Sequence, residues 1–476
     1  MIDTSAIRNR LIHLAVLGQL VEQEEKDGNA CDLVCKISMK LNKKMPRWDI
    51  PDNEIPYQIP SNWTWCRLSD IGSTNIGLTY HPEDISAVGI PVLKSNNIKD
   101  NKMIFDDVVK VSCEIKEKEY LNANDILICS RNGSKSLVGK CAIYDGRLGA
   151  TAFGAFMAVY RTVCFEYCYY FFQTKVFRRY FENENNKQIN QVTQTILKNA
   201  IIPLPPFDEQ TRIVKKLKEA FDLIDGIDKL QNAYNLDIEI LKSKLIDASI
   251  QGKLTEQLLE DGDAEELFAE IQDEKAKLIK EKKIKKEKAL DVITEDEIPF
   301  EVPDNWKWVR LGDICSKISS GNTPAGGSKG GAYVSKGYCF FREQNIYNDG
   351  IHNDGMVYIT EELLNTRPNS TVLPKDILLN ITGGSIGRCA LIPDDFSRGS
   401  INQHILIIRV VDPRIRFYVH KCLCSPYYQK LIMGNVVGDK DGFSAGRCKN
   451  TLIPLPPLSE QNRIDEKIEG ILSLIQ

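Results

Sequence analysis

The chain has 476 residues, of which 42% are hydrophobic and 26% are charged, as is ordinary for a globular protein of two or three domains. The formal net charge of −4 excludes a uniformly basic nucleic-acid-binding protein, and no apolar stretch reaches the length of a membrane span. Fourteen cysteines occur without any C-x2-C pair, so we predict free thiols in a reducing cytoplasm and no structural metal site.

The N-terminal part of the chain predicts helix followed by an extended segment. Residues 1–45 are predicted to be helical, and the proline-rich segment 46–60 is predicted to be extended. Trp63 and Trp65 then alternate with polar residues, as in a strand with one buried face. We favour anchoring of a globular domain over base stacking as their role.

The segment 63–200 predicts a mixed α/β domain. Short β-rich runs alternate with Gly/Asn loops, and a helix-like stretch follows at 165–185. The segment carries 17 Lys/Arg against 14 Asp/Glu and is therefore mildly basic, which fits contact with DNA, although chance variation in charge remains an alternative.

A long helix is predicted after the breaker run I-P-L-P-P at 202–206, which cannot lie inside a helix. Apolar residues spaced alternately by four and three follow, with Asp208 as N-cap, Gly252 as stop and Gln231 as the polar exception. Such a seam requires a partner helix. Its first-copy members are Ile213, Leu217, Ala220, Ile224, Ile227, Tyr234, Ile238, Leu241, Leu245 and Ala248.

The segment 253–295 is highly charged. It is acidic at 260–266 and holds eight lysines within 275–288, while Leu267 and Ile271 have helical spacing. We favour a solvated helix face over phosphate contacts for the lysines.

The second half of the chain repeats the first. The W-x-W strand returns at 306–308, and the breaker run returns at 453–457 followed by the same E-Q-x-R-I sequence. The segment 306–452 carries 18 Lys/Arg against 12 Asp/Glu, and residues 11–20 match 245–254. We therefore predict two copies of one unit, with residues 1–18 completing the second helix. The seam of the second copy consists of Ile464, Ile468, Ile471 and Ile475.

These doubled motifs resemble the specificity (S) subunit of type I restriction–modification systems. The resemblance rests on the repeated I-P-L-P-P-x-x-E-Q-x-R-I, the repeated P-x-N-W-x-W-x-R-L, and the repeated G-[QK]-L turn, in the same order in both halves. S-G-N-T-P at 320–324 and G-S-I-G at 384–387 are also similar to motifs of that family.

The resemblance implies two α/β target recognition domains separated by a long antiparallel coiled coil, related by a pseudo-twofold internal repeat. Each domain would read one half of a bipartite double-stranded DNA site. The helices would set the spacing and dock two methyltransferase (M) subunits and restriction (R) subunits. This chain would bind no cofactor, with S-adenosylmethionine, ATP and Mg expected on the partners, and would be cytoplasmic without membrane association.

The resemblance also implies domain boundaries. They are an N-terminal helical segment at 1–50, target recognition domain 1 at 51–206, a central coiled-coil region at 207–296, target recognition domain 2 at 297–457 and a C-terminal helix at 458–476.

Two other functional classes were weighed. A self-contained methyltransferase or nuclease is disfavoured because no N-P-P-[FY] or D-P-P-Y motif, no Rossmann G-x-G-x-x-G and no nuclease core can be identified. A coiled-coil adaptor that does not read DNA is disfavoured by two mildly basic segments with shared borders and divergent interiors. We therefore predict a non-catalytic subunit with no catalytic residues.

Polar loop residues are the candidates for base contacts, since Arg and Lys bind guanine and Asn and Gln bind adenine in the major groove. Asn97, Asn345 and Asn402 have a favoured alternative role in closing turns. The predicted DNA-binding residues are Tyr80, His81, Asn96, Arg131, Asn132 and Lys135 in the first domain, and Asn322, Thr323, Lys329, Arg342, Gln344 and Asn402 in the second.

Overall fold

The computed structural model describes residues 1–46, 48–182, 191–324, 331–434 and 443–475. The chain divides into two compact units, Met1–Ala233 (unit 1) and Tyr234–Gln476 (unit 2). Each unit combines helices with antiparallel and mixed sheets, which confirms the predicted α/β class. Among the described residues, no helix is both long and apolar enough to cross a membrane.

In the part of unit 1 that the structure describes there are six helices and the first part of a 44-residue helix, α7. The helices are α1 (Thr4–Val16), α2 (Ala30–Lys40), α3 (Leu68–Ile71), α4 (Phe165–Phe172), α5 (Lys175–Arg178), α6 (Gln194–Asn199) and α7 (Phe207–Ile250). The strands are β1 (Thr64–Arg67), β2 (Gly72–Ile76), β3 (Ile85–Leu93), β4 (Ile98–Lys99), β5 (Lys102–Met103), β6 (Val109–Val111), β7 (Ile126–Cys129), β8 (Cys141–Ile143), β9 (Ala152–Phe153), β10 (Met157–Thr162) and β11 (Ile201–Leu204).

The described residues of unit 2 form the end of α7 and seven further helices. They are α8 (Ala264–Lys280), α9 (Leu311–Ile314), α10 (Glu361–Asn365), α11 (Arg416–Cys424), α12 (Pro426–Gly434), α13 (Ala445–Asn450) and α14 (Leu458–Ser473). The strands are β12 (Lys307–Arg310), β13 (Cys315–Ser320), β14 (Tyr338–Phe341), β15 (Ile346–Tyr347), β16 (Gly350–Ile351), β17 (Val357–Ile359), β18 (Thr371–Val372), β19 (Ile377–Asn380), β20 (Cys389–Leu391), β21 (Gly399–Ile401), β22 (Ile405–Val410) and β23 (Leu452–Leu455).

The repeat in the sequence is also a repeat in strand order. The sheet β2-β10-β7-β8 of unit 1 corresponds to β13-β22-β19-β20 of unit 2, and the pair β1-β11 corresponds to β12-β23. Each unit also has a second sheet that contains a parallel strand pair, β3 with β9 in unit 1 and β14 with β21 in unit 2. The internal repeat is therefore confirmed at the level of topology.

The central strand of each main sheet is buried on both faces. In β7, Ile126 and Ile128 join the core that contains the helices, while Leu127 and Cys129 join the core under the second sheet. A strand buried on both faces is expected to be a continuous apolar run without alternation, and I-L-I-C is such a run. The same division recurs along β19.

The repeated proline run forms the last strand of each α/β domain and leads directly into a helix. Pro203 pairs with Trp65 of β1, and its carbonyl oxygen accepts a hydrogen bond from the buried Tyr167 hydroxyl at 2.6 Å. Gln210 then donates through Nε2 to the Pro205 carbonyl oxygen at 2.8 Å. The prolines lack an amide donor, so they are tolerated here because only their carbonyl groups are needed.

The Glu and Arg of the repeated E-Q-x-R-I sequence fasten the helix to preceding segments of unit 1. The buried Glu209 carboxylate accepts from Gln23 Nε2 at 3.0 Å and from Asn62 Nδ2 at 3.1 Å. Arg212 donates to both carboxylate oxygens of Asp27, at 2.7 and 2.6 Å. The Arg212 guanidinium holds the pKa of Asp27 below its usual value.

Unit 2 repeats these contacts, with Gln257 in the place of Gln23 and with Trp306 and Thr255 as further donors. The buried Glu460 carboxylate accepts from Trp306 Nε1 at 2.7 Å and from Thr255 Oγ1 at 2.8 Å. Arg463 is paired with both oxygens of Asp261, whose pKa it lowers. The same motif therefore makes the same kind of junction in both copies.

Within unit 1 the predicted seam is buried at three positions and half-buried at Ala220 and Ile227. Ile213, Leu217 and Ile224 are buried, and α1 runs antiparallel to α7, because Arg8 pairs with Asp225 at 2.5 Å while the earlier Thr4 contacts the later Asp228 at 2.6 Å. Gln231, the polar member of the seam, exchanges hydrogen bonds with the backbone of Ile2 at 2.6 and 3.2 Å. The polar side chain of Gln231 therefore binds the backbone of Ile2, near the start of the chain.

Within unit 2 the seam is only partly covered. Ile464 and Ile468 of α14 are buried in the core that also contains Ile250, but Tyr234 is 52% exposed and Leu241 is also exposed. Tyr234 contacts the end of the chain through its hydroxyl, which donates to the Ile475 carbonyl oxygen at 3.2 Å. The expectation of a seam buried along its whole length is therefore wrong for these two residues, because one neighbouring helix shields only part of a helical surface.

Leu217 and Leu223 form a matched pair on α7, since Leu217 is fully buried and Leu223 is 73% exposed. We expect Leu217→Ala to lower the free energy of unfolding by about 2–5 kcal/mol, because it leaves a cavity in the core of unit 1. Leu223→Ala should change it by less than about 0.5 kcal/mol. Urea denaturation followed by circular dichroism measures both, and equal effects would contradict the described packing.

The Arg212–Asp27 pair predicts a pH-dependent contribution to stability. Asp27→Asn should cost about 2 kcal/mol at pH 7, because it weakens two charge-assisted hydrogen bonds to a carboxylate whose side chain is shielded from solvent. The folded pKa of Asp27 lies below its ordinary 3.8, so this contribution is complete above that value and is lost as the pH falls through the folded pKa.

Denaturation of wild type and Asp27→Asn from pH 7 to pH 3 tests this expectation. Asp145→Asn is the control, because its partner Arg147 is exposed and surface pairs contribute at most about 1 kcal/mol. A cost of Asp27→Asn that grows towards low pH would contradict the assignment.

Candidate nucleic-acid interface

Four loops come together at one edge of unit 1, which we call the recognition edge of unit 1 and define as residues 77–81, 94–97, 130–135 and 154–156. Leu78 bridges to Gly154, and Asn132 Nδ2 donates to Ser95 Oγ at 3.2 Å. A side-chain carbon added at Gly77 would overlap the Phe153 carbonyl oxygen, so glycine is required for this approach.

Cations and aromatic rings face each other at this edge. The Lys94 ammonium lies 5.4 Å from the centroid of the Tyr80 ring, and the Arg131 guanidinium lies 5.8 Å from that of Phe156. Arg131 is exposed and Phe156 is 63% exposed. An exposed aromatic ring beside an arginine is suited to contacts with DNA bases or the sugar–phosphate backbone.

Most of the residues predicted for unit 1 lie on its recognition edge. Tyr80, Asn96, Arg131 and Asn132 are brought together by the contacts above. His81 is exposed and its backbone amide donates to Asp84 at 2.7 Å. The exposed Lys135 begins a short 3-10 turn at the end of loop 130–135.

The buried Asn97 and Asn345 close turns, as the favoured alternative predicted. Asn97 Oδ1 accepts from the Lys94 amide at 2.9 Å, and its Nδ2 donates to the Asp106 carbonyl oxygen at 3.2 Å. Asn345 makes the equivalent bonds to the Arg342 amide and the His352 and Asp354 carbonyl oxygens. Each asparagine therefore shapes its loop from inside.

Unit 2 has a corresponding recognition edge, defined as residues 320–323, 342–345, 380–385 and 402–404. Asn380 Nδ2 donates to the Glu343 carbonyl oxygen at 2.9 Å, and Thr323 contacts Gln403 through their side chains. The Thr382 hydroxyl lies 2.7 Å from His404 Nδ1. Gly321 again stands where an added side-chain carbon would overlap a carbonyl oxygen, that of Ile401.

The residues predicted for unit 2 fall into three groups. Asn322, Thr323 and Gln344 are exposed on the recognition edge, and Lys329 lies outside the described residues. Arg342 is half-buried and donates to the Gly355 carbonyl oxygen, so its guanidinium is engaged within its own domain.

The structure does not support the prediction that Asn402 contacts DNA. It is buried, its Nδ2 donates to Glu343 Oε2 at 2.6 Å, and its Oδ1 accepts from the His404 amide at 3.1 Å. Both polar atoms of the side chain are used inside the domain, so Asn402 closes a turn and is not placed to contact a base.

The two recognition edges have equivalent backbones but different side chains. The Ser130 amide donates to the Phe156 carbonyl oxygen at 2.9 Å, and in unit 2 the Ile381 amide donates to that of His404 at 3.0 Å. Arg131 and Phe156 therefore stand where unit 2 has Thr382 and His404. A cation–aromatic pair in one copy is replaced by a hydroxyl–imidazole pair in the other.

Sequence reasoning missed several residues of these edges. Four of them follow strands of the parallel pairs β3–β9 and β14–β21, and Thr382 follows the antiparallel strand β19. Only the alignment of the two copies along β9 and β21 offered a signal. The missed residues are Lys94, Phe156, Thr382, Gln403 and His404.

Comparison with known proteins identifies the family. A model of the type I restriction modification DNA specificity domain matches residues 60–233 and again residues 303–475. The specificity subunit of the EcoAI type I restriction enzyme from Escherichia coli is 24% identical, with 98% of this chain and 88% of that protein covered. The EcoEI specificity subunit, also from Escherichia coli, is 25% identical, with coverage of 98% and 89%.

A more distant organism and a solved structure give the same result. A putative MjaX type I restriction enzyme specificity subunit from Methanocaldococcus jannaschii is 26% identical over 88% of this chain and 89% of that protein. A structure solved in a study of complex assembly and conformational transition of the type I R-M system shares the fold, with a TM-score of 0.58 at 18% identity over 88% of this chain and 92% of that chain.

The family match covers both copies of the repeat and places each recognition edge inside a matched region. The chain belongs to the type I restriction–modification DNA specificity family, and it is a non-catalytic DNA-recognition subunit.

Proposed function

We propose that each unit reads one half of a bipartite DNA site through its recognition edge. The observation that carries this proposal is the pair of equivalent loop frameworks with different side chains, Arg131 and Phe156 in one copy against Thr382 and His404 in the other. A shared framework places both edges against DNA in the same manner, and different side chains select different bases.

The side chains of unit 1 suit base edges in the major groove. Arg131 can donate two hydrogen bonds to guanine O6 and N7, and Asn96 can pair with adenine N6 and N7. Asn132 uses both side-chain polar atoms inside the domain, on Ser95 and Ser134, and supports the loop that carries Arg131. The exposed Phe156 ring can contact a thymine methyl group or a base face. Lys94 and Lys135 lie at the same edge and suit phosphate contacts, which orient a protein on DNA without selecting a sequence.

The edge of unit 2 presents amide, hydroxyl and imidazole groups. Thr323, Gln344, Gln403 and His404 are exposed or half-buried there, so the proposed contacts use uncharged donors and acceptors. Asn322 belongs to the same loop as Thr323. Segment 306–452 carries a net positive charge, and this charge attracts the DNA phosphates, which the side chains at the edge do not.

The partners follow from the family and from exposed apolar residues on α7. Leu223 and Leu230 are exposed in unit 1, as is Leu236 in unit 2, and exposed leucines on a helix suit docking of partner helices. We assign this role to two M subunits, with R subunits joining the complex. S-adenosylmethionine, ATP and Mg then bind to those partners, and the complex acts in the cytoplasm, where the DNA is.

A methylome tests the proposal. The chain is co-expressed with the methyltransferase subunit of its own system in a host without adenine methylation, and modified bases are mapped by single-molecule sequencing. Wild type should give one bipartite adenine-methylated motif. Arg131→Ala should relax or change one half only, with a loss of about 1–3 kcal/mol of discrimination at one base pair.

Two variants serve as comparisons in the same experiment. Arg147→Ala removes the same charge from unit 1 outside the recognition edge and should leave the motif unchanged. His404→Ala should alter the other half only. Changes in both halves from either single edge variant would contradict the assignment of one half to each unit, and methylation that is independent of this chain would favour the adaptor alternative.

The neighbouring Asn96 and Asn97 give a second prediction. Asn97→Ala should lower the free energy of unfolding by about 1–3 kcal/mol, because two buried backbone groups lose their partner. Asn96→Ala should leave stability within about 0.5 kcal/mol of wild type while weakening binding of the assembled complex to its site. Thermal melts and DNA titrations measure the two effects, and a stability loss in Asn96→Ala with normal DNA affinity would contradict the described loop.

A further inference from the structure

Three side chains that bind soft metals meet inside unit 2. Cys389 begins β20, and His420 and Cys424 lie one helical turn apart on α11. One ligand atom from each, the two Sγ atoms and a ring nitrogen, all lie within 4.8 Å of one another. Among the described residues, these three form the one His/Cys/Asp/Glu group of this kind.

The separations fit tetrahedral coordination. His420 Nε2 lies 3.5 Å from Cys424 Sγ. Bonds of about 2.0 Å from zinc to nitrogen and about 2.3 Å to sulfur place two tetrahedral ligands about 3.5 Å apart. His420 Nε2 donates to the Cys389 carbonyl oxygen at 2.9 Å, so the ring points towards the strand that carries the third ligand, and binding of an ion would replace this hydrogen bond.

Comparison of the two copies separates framework from ligand. Tyr167 and Tyr418 make the same hydrogen bond to the proline carbonyl of their own domain, which aligns α4 with α11. In this alignment His420 and Cys424 match Tyr169 and Gln173. The register of β8 on β7 and of β20 on β19 matches Cys389 with Cys141. The strand cysteine belongs to the shared framework, and the two helix ligands occur only in unit 2.

We propose that Cys389, His420 and Cys424 bind one Zn²⁺ ion, with a fourth position left to water or another exogenous ligand. Both thiols lose their protons to solvent on binding. The neutral imidazole gives up its hydrogen bond to the Cys389 carbonyl oxygen, changes tautomer so that its proton lies on Nδ1, and binds through Nε2. Cys389 is buried while His420 and Cys424 are partly exposed, so an ion can enter from the helix side.

The ion would tie the strand to the helix beside the recognition edge of unit 2. Cys389 follows the loop 380–387, which is closed by the Gly387 amide donating to the Asn380 carbonyl oxygen at 2.9 Å. A metal at Cys389 would therefore hold the end of the loop that carries Thr382. The inference does not depend on DNA reading, because it concerns the fold of unit 2.

The test uses the full chain, purified under reducing conditions, stripped with a chelator and then titrated with Zn²⁺ or Co²⁺. We expect one ion per chain, with visible d–d bands of tetrahedral Co²⁺ and thiolate-to-cobalt charge transfer. Zn²⁺ at about a hundredfold excess over its dissociation constant should raise the melting temperature by about 5 °C.

Two variants and a control make the test specific. The double variant His420→Tyr/Cys424→Gln gives unit 2 the residues that unit 1 carries, so it should fold by circular dichroism and lose the ion and the Co²⁺ bands. If the double variant does not fold, Cys424→Ser replaces it in the same test and should also lose the ion. Cys339→Ser is the control, because it removes a cysteine of unit 2 outside the trio. It should still bind the ion and show the Co²⁺ bands.

Three results would overturn the proposal. They are no stoichiometric uptake at micromolar metal, equal uptake by wild type and His420→Tyr/Cys424→Gln, and a Cys389–Cys424 disulfide that, once reduced, leaves thiols that take up no ion.

Discussion

The buried hydrogen bonds and ion pair of the E-Q-x-R-I sequence connect each α/β domain to the helix that follows it. Gln210 donates to the carbonyl oxygen of the preceding Pro205, and Glu209 accepts hydrogen bonds from segments that are distant in the chain. Arg212 is paired with Asp27. A buried carboxylate is tolerated only when it is fully hydrogen-bonded, and removal of one partner strands the other. The direction in which the helix leaves the domain is therefore determined by side chains that cannot be exchanged one at a time.

That constraint explains why the repeat could be recognised from sequence. The junction needs the same residue types at the same spacing in both copies, so E-Q-x-R-I and the proline run are retained where most other residues differ. The heptad spacing follows from local pattern and was predicted, whereas the order of the strands in each sheet was not, because it depends on pairing between distant segments. The exposure of Tyr234 was not predicted, because heptad spacing indicates which residues share a face but does not say how much of that face a neighbour covers.

The recognition edges were only partly predictable for a related reason. Gly/Asn-rich loops and exposed arginines carry a local signal, and Arg131, Asn132 and Asn96 were found in that way. Phe156 and His404 carry none, because they reach the edge through the parallel pairing of β9 and β21 with strands about 60 residues earlier. Asn402 was predicted both as a base contact and, with preference, as a turn-closing residue, because the residue type alone fits either role. The contacts with Glu343 and with the His404 amide decide for turn closure. The prediction of no metal site rests on the lack of C-x2-C pairs, a criterion that does not consider ligands contributed by a strand and by a helix some 30 residues later, such as the proposed trio Cys389, His420 and Cys424.

The arrangement also separates the residues that can vary from those that cannot. Within each edge, Asn97 and Asn345 hold the loop backbone from inside, while the positions of Arg131 and Phe156 point outwards and take different residues in the other copy. Outward positions make few contacts with the core, so their replacement costs little stability. A new DNA sequence can then be read by changing residues such as Arg131, Phe156, Thr382 and His404 while the buried asparagines and the helix junction stay as they are. Specificity and folding are thus carried by different residues of the same loops, and this allows one framework to occur twice in a chain with two different surfaces.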